Sequence, residues 1–239
     1  MATLSEYTFR VLNNLAPILS DDFFIDEREV KFAIHEKRHL FIKQDITKNH
    51  SINPDVIQDL GCVDLEAVDS AHCCEITFDC KIIRTEEILP RFIETQHETG
   101  LTRVASLDKL SAPFSIIPFE AAPFAGNGRF NKKSIFVFPL NGRIYFTYNP
   151  SNLWARGVKK VNISGVFEDP TKVWDYLNTK YTGNTNFTPY SDATSEYPMK
   201  GWMGDAVVKA VTDDFIKRLI TPIDNTNDSK SNPTPVTQK

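Results

Sequence analysis

The sequence predicts an α+β fold: N-terminal helices including one long amphipathic helix, a central antiparallel β region, and a C-terminal helix followed by an extended tail. Two observations carry that prediction. Apolar residues recur at helical spacing up to about residue 60, alternate singly after Cys74, and return to helical spacing beyond Asp169. Within the alternating region, Asn141-Gly142 separates two β-branched and aromatic runs, and this pair best tolerates the positive φ angles of a type I′ turn.

The elements follow in order. Leu4, Val11, Leu12, Leu15, Ile18 and Leu19 fall at helix-like spacing, with Pro17 disturbing the end. A second helix is predicted from near Asp22 to about Ile46, its start enriched in Asp26, Glu27 and Glu29, which suits the positive end of a helix dipole. Residues 53–60 read as a short third helix, capped by Asn53, with Pro54 in the first turn and Gly61 as its stop. In EITFDCKII, Ile76, Phe78, Cys80 and Ile82 alternate with polar residues and predict a strand with one buried face. The Asn141-Gly142 hairpin pairs Ile135–Leu140 with Arg143–Tyr148. Pro139 cannot donate to a ladder, so its nitrogen must face an edge or a bulge. VNISGVF (161–167) is a further strand, and Asp169-Pro170 caps a short helix through Trp174 and Leu177. Residues 180–200 are polar and read as an extended loop. Asp205 opens the last helix, with Val207, Val208, Val211, Phe215, Ile216 and Leu219 on its apolar side.

Composition limits the function classes. The chain has 239 residues and 27.2 kDa, room for one sizeable core or a core with a small lobe. A formal net charge of −4 and a pI near 5.8 give no global basic field for nucleic acid or anionic lipid. No apolar run approaches the ~20 residues that span a bilayer. MATLSEYTFR lacks the pattern of a signal peptide, and four cysteines in such a chain are expected to be thiols of a reducing cytosol.

His35, Glu36 and His39 form H-E-x-x-H, the pattern in which two histidines bind zinc and a glutamate activates water. The neighbours argue against that chemistry. The intervening residues are Lys37 and Arg38, where a zinc helix carries apolar or small ones, and Lys37 falls in the stripe of Val30, Ile34 and Phe41. Ile42 stands where the longer metzincin pattern needs glycine. A remote Asp59 or Glu66 could complete a ligand set, yet the simpler reading is an amphipathic helix with both histidines on its polar face. The cysteines Cys62, Cys73, Cys74 and Cys80 lack a knuckle spacing, since adjacent Cys73 and Cys74 on extended chain point to opposite faces. GNGRFNKK (126–133) lacks the G-K-[ST] ending of a phosphate loop and reads as a solvated loop before strand 134–140. A nucleic-acid-binding module would depend on Arg129, Lys132 and Lys133, with Arg143. No catalytic residue, metal site or cofactor is expected.

DLGCVDLEAVDSAHCC, GLTRVASLDKLSAPFSIIPFE, GNGRFNKKSIFVFPLNGRIYF and VNISGVFEDP resemble a virion protein of crAss-like tailed bacteriophages. The long helix starting DDFFIDEREV and the Tyr197-Pro198, helix, Pro222 pattern fit the same comparison, which covers about residues 5–222. Proteins of that family belong to the neck, where rings join the portal vertex to a short tail. The resemblance implies a head-to-tail connector subunit without catalytic residues, in a ring (a dodecamer) stacked below the portal protein and touching adjacent neck or tail rings. It implies passing genomic DNA without sequence specificity, no membrane, and a place in the virion neck after assembly in the host bacterial cytoplasm. One connector domain over residues 1–222 is expected, helical over about 1–61 and 169–222 and β-rich over about 75–168. Residues 223–239 have too little apolar surface to offset their ordering entropy, so a flexible tail is expected. Pro222, Ile223, Pro233 and Pro235 are its candidate partner-binding residues, because prolines favour an extended shape that can lie in a groove.

Overall fold

The computed structural model describes residues 2–18, 25–49, 51–69, 81–95, 99–107, 112–126, 128–148, 157–185 and 187–220. The first helix, α1, is Leu4–Leu15. Thr3 caps it in a capping box: its hydroxyl accepts from Glu6 N while the Glu6 carboxylate accepts from Thr3 N. The long helix, α2, is Glu27–Asn49. It begins later than the expected Asp22, because Asp26 is the residue that caps it: its side chain accepts from Arg28 N at 3.0 Å.

The expected third helix is corrected. Only a single 3₁₀ turn, Pro54–Val56, follows Asn53, and Gln58–Asp69 is a long strand, β1. Gly61 therefore does not stop a helix. At φ 67° it sits at a bulge where the pairing register of β1 shifts between Asp59 and Cys62. The Asp59 carboxylate accepts from Gly61 N at 2.8 Å and from Asn162 Nδ2 at 2.9 Å, which holds the bulge from both sides.

The remaining strands are β2 (Lys81–Thr85), β3 (Leu101–Ala105), β4 (Ser115–Ile116), β5 (Ile135–Leu140), β6 (Arg143–Tyr148) and β7 (Lys160–Gly165). Residues 81–83 of the expected strand over 75–83 lie in β2; its residues 75–80, and Cys73, Cys74 and Cys80, lie outside the described residues. The sheet order is β3-β7-β1-β2-β6-β5-β4, antiparallel except for β4 beside β5. Its two ends curl together, since Phe114 N, at the start of β4, donates to Val104 O of β3 at 2.7 Å.

The hairpin stands as predicted. Asn141 and Gly142 have φ of 50° and 73°, and Leu140 faces Arg143 across the turn. Counting the ladder from that pair puts Pro139 opposite Ile144 in a non-hydrogen-bonded position. Its ring nitrogen thus points toward the β4 side, beyond the two residues of β4 that pair.

Helix α3 is Pro170–Lys180, capped by Asp169 as expected, and α4 is Gly201–Ile220, starting four residues before the predicted Asp205. Two apolar cores result. One lies among α1, α2 and α4 and includes Leu4, Val11, Ile34, Ile42, Val207 and Phe215. The other fills the curled sheet with Leu60, Val63, Val137, Ile144, Val161 and Ile163. Helix α3 borders both, with Trp174 in the first core and Val173 and Leu177 in the second.

Gly142→Val should lower unfolding stability by about 1–3 kcal/mol, because a β-branched residue is strained at positive φ. Its Cβ would also stand 3.1 Å from Ile88. Urea denaturation followed by fluorescence measures the difference, and Asn141→Gly should cost far less.

Candidate functional site

The H-E-x-x-H segment occupies the middle of α2, and the structure changes its meaning. The buried row of this helix is Val30, Ile34, Arg38, Ile42 and Ile46, an advance of four residues at each step. The residue in the stripe is therefore Arg38, fully buried, and not Lys37, which pairs at the surface with Asp214. Arg38 Nε donates to Pro198 O at 2.8 Å and Nη1 donates to Phe167 O at 3.0 Å, while Nη2 finds no partner among the described residues. Its guanidinium carbon lies 5.6 Å from the centre of the Tyr197 ring.

The histidines are not on an open polar face. His35 Nδ1 lies 2.7 Å from the Tyr197 hydroxyl and 4.0 Å from Asp169 Oδ1. Burial raises the Tyr197 phenol above its ordinary range and lowers His35 below 6.5, so the hydrogen bond joins a neutral phenol and a neutral imidazole, its direction set by the His35 tautomer. His39 Nε2 lies 3.9 Å from Glu168 Oε1, too long for a hydrogen bond, and burial lowers His39 also. The geometry follows from the fold: α2 lies against the 166–169 turn that joins β7 to α3, and His35, Arg38 and His39 share the side facing it.

The two candidate third ligands are engaged elsewhere. Asp59 holds the β1 bulge, and Glu66 accepts from Arg84 at 2.8 Å and from Arg143 at 3.0 Å. Among the described residues no group of three or more His, Cys, Asp or Glu side chains could hold a metal ion. Arg143 also donates to Thr85 O at 2.7 Å, so it braces the hairpin against β2 rather than facing a nucleic acid. Arg129, Lys132 and Lys133 are exposed on the 128–134 turns, as a solvated loop requires.

Two surfaces could serve partners. Between β4 and β5 the chain leaves the sheet as an arm, described over residues 118–126 and 128–133, with a 3₁₀ segment Phe119–Phe124. Phe119 rests against the Phe138 ring at 5.7 Å, but Phe124 and Phe130 stand 79% and 92% exposed, too far out to support the core. The second surface is a cleft of about 330 Å³ between the start of β1, α3 and the 190–198 segment, lined by Ile57, Trp174, Leu177 and Tyr190, with Asp55 and Glu196 exposed at it. Composition gave no hint of the arm's exposure, though Pro118 before FEAAPF, Pro123 within it and the cations near Phe130 are its sequence trace. Pro222, Ile223, Pro233 and Pro235 lie outside the described residues.

These features define an α+β subunit with an arm of exposed aromatic side chains and, elsewhere, a cleft with an apolar floor and acidic rim. A family model described as phage tail ring protein 2 matches residues 9–234. The chain belongs to that family and is a structural ring protein of a crAss-like phage tail. The comparison with curated proteins gives no match.

Arg38→Met should destabilise the protein by about 2–5 kcal/mol, since it leaves the Phe167 and Pro198 carbonyls without their charged donor. Arg38→Lys should not restore stability, because one ammonium on a flexible stem does not reproduce the planar fork. Equilibrium urea unfolding of the three proteins checks both statements.

A pH dependence also follows. His35 and His39 are held neutral by burial in the native state, whereas the unfolded chain protonates them near 6.5. Below that pH the unfolded state binds more protons, so stability falls as pH drops through 6.5 until the lower native values are reached. Around His35 the charges of Asp169 and Asp192 oppose this shift while Arg38 and Lys31 reinforce it. Unfolding free energies between pH 7.5 and pH 5 should decline in the wild type, and more shallowly in His35→Gln.

Proposed function

We propose that this subunit forms a head-to-tail connector: a dodecameric ring stacked against the portal protein, which joins the portal to adjacent tail rings and completes the DNA conduit. The family match over residues 9–234 is the observation that carries the reading. A net charge of −4 suits the role, because a conduit must let DNA slide without holding it. The subunit works as one connector domain, residues 1–222, and uses no cofactor and no catalytic residue. It assembles in the host bacterial cytoplasm and acts in the virion.

Residues 223–239 supply the attachment. Pro222, Ile223, Pro233 and Pro235 lie along a neighbouring ring or the portal in extended form, and repetition around the ring multiplies each weak contact through effective concentration.

Native mass spectrometry of the subunit mixed with the portal protein of the same phage should show a twelvefold assembly bound to the portal. A stable monomer that does not associate with the portal contradicts the reading. Removing the residues after Pro222 should leave the thermal transition of the subunit unchanged and weaken portal attachment; unchanged attachment would assign the tail no part in it.

A further inference from the structure

A ring closes only through heterologous contacts, in which one patch of each subunit meets a different patch of the next. Two unlike patches stand on separate parts of this molecule. The arm carries the exposed rings of Phe124 and Phe130, together with Arg129, Lys132 and Lys133 against a single acid, Glu120. The cleft has an apolar floor of Ile57, Trp174 and Leu177. The charged residues lining it are Asp55, Asp59 and Glu196, with no Lys or Arg. None of its lining residues comes from the arm or from the strands β4, β5 and β6 that carry the arm.

We propose that the arm of one subunit docks into the acidic-rimmed aromatic cleft of a second copy of this chain, and that this is the head-to-tail contact of the ring. The proposal rests on the ring reading given above. The fit is one of chemistry and of size. A phenyl group needs about 150 Å³, the size of a cavity that takes up benzene, and the open cleft has about 330 Å³ between its apolar floor and its acidic rim. An exposed aromatic entering a preformed pocket is the usual form of an energetic anchor, and Phe124 or Phe130 reaches the bound state without unpacking a core. The arm's cations would then meet Asp55 and Glu196 at the rim, which selects the orientation of the incoming copy more than it adds affinity. The base of the arm is held to the body through Phe119 on Phe138, which limits how far the arm can swing before it docks.

Photo-crosslinking of the full chain tests this. A benzoylphenylalanine placed at position 130 is irradiated in a mixture of unlabelled and ¹⁵N-labelled subunits, and the adducts are mapped by mass spectrometry. Adducts joining position 130 of one copy to residues 173–177 or 190–198 of another are expected. Adducts within the same copy, to residues 221–239, or to any other surface overturn the proposal.

Charge reversal gives a second readout. Arg129→Glu with Lys132→Glu should weaken self-association more than about tenfold by sedimentation, the loss expected when an anchor's surroundings are reversed. Adding Asp55→Lys and Glu196→Lys should restore it, and failure of that rescue also overturns the proposal. All four positions are exposed, and a thermal transition unchanged from the wild type in each variant shows that folding is not at issue. Rings that persist through the reversal, with adducts elsewhere, overturn this contact while leaving the ring reading standing. A chain that gives neither self-adducts nor a portal-bound ring sinks both.

Discussion

A charged guanidinium sealed from water in the middle of α2 constrains everything around it. Such a group is tolerated only when hydrogen bonds from its charged nitrogens offset the cost of desolvating an ion, several kcal/mol. Here Nε and Nη1 carry them, while Nη2 has no partner among the described residues. Arg38 finds two main-chain carbonyls from segments far apart in the chain, Phe167 just after β7 and Pro198 just before α4. The long helix, the end of the sheet and the approach to the last helix are therefore fixed to a single side chain. Had any of the three moved, the buried charge would have lost at least one of its two acceptors.

Tyr197 extends that constraint. Fully buried, it lies beneath Arg38, shares a hydrogen bond with His35 and meets Tyr7 and Trp174 edge to face. Its backbone N–H donates to Ala2 O, and Ser5 N donates to Asp192 O, so the 190–198 segment straps the start of α1 to the same point. Helix α3 completes the junction by offering residues to both cores. The consequence for a ring subunit is mechanical. Helical core and sheet core are joined through directional bonds as well as apolar contact, while aromatic side chains that add nothing to either core project from the outside.

What could be read from the sequence was whatever rests on local chemistry. The hairpin follows from Asn141-Gly142, which alone sets turn type and register, and α3 follows from Asp169-Pro170. Residues 53–60 misled because Asn53 and Pro54 are genuine helix-start signals that the fold uses for only one turn. The strand that follows depends on pairing with β7, about a hundred residues away in sequence, and local signals carry no record of such a partner. Arg38 was misplaced for a related reason. A charged residue in an apolar row reads as an error of phase, so the sequence pattern alone places Lys37 in the stripe and both histidines in solvent. Only the carbonyls of Phe167 and Pro198, supplied by the tertiary fold, make burial of that arginine possible. The family resemblance, by contrast, lay in long strings of ordinary residues and agrees with the match over residues 9–234.

The claim that Arg38 binds the two cores into one cooperative unit is open to direct measurement by native-state hydrogen exchange. Slowly exchanging amides are compared in the helical core, at Ile34 and Val207, and in the sheet core, at Val63 and Ile163, for the wild type and Arg38→Met. The account predicts one common opening free energy for both sets in the wild type, and a fall at all four positions in the variant. A variant in which Ile34 and Val207 lose protection while Val63 and Ile163 keep theirs would contradict it.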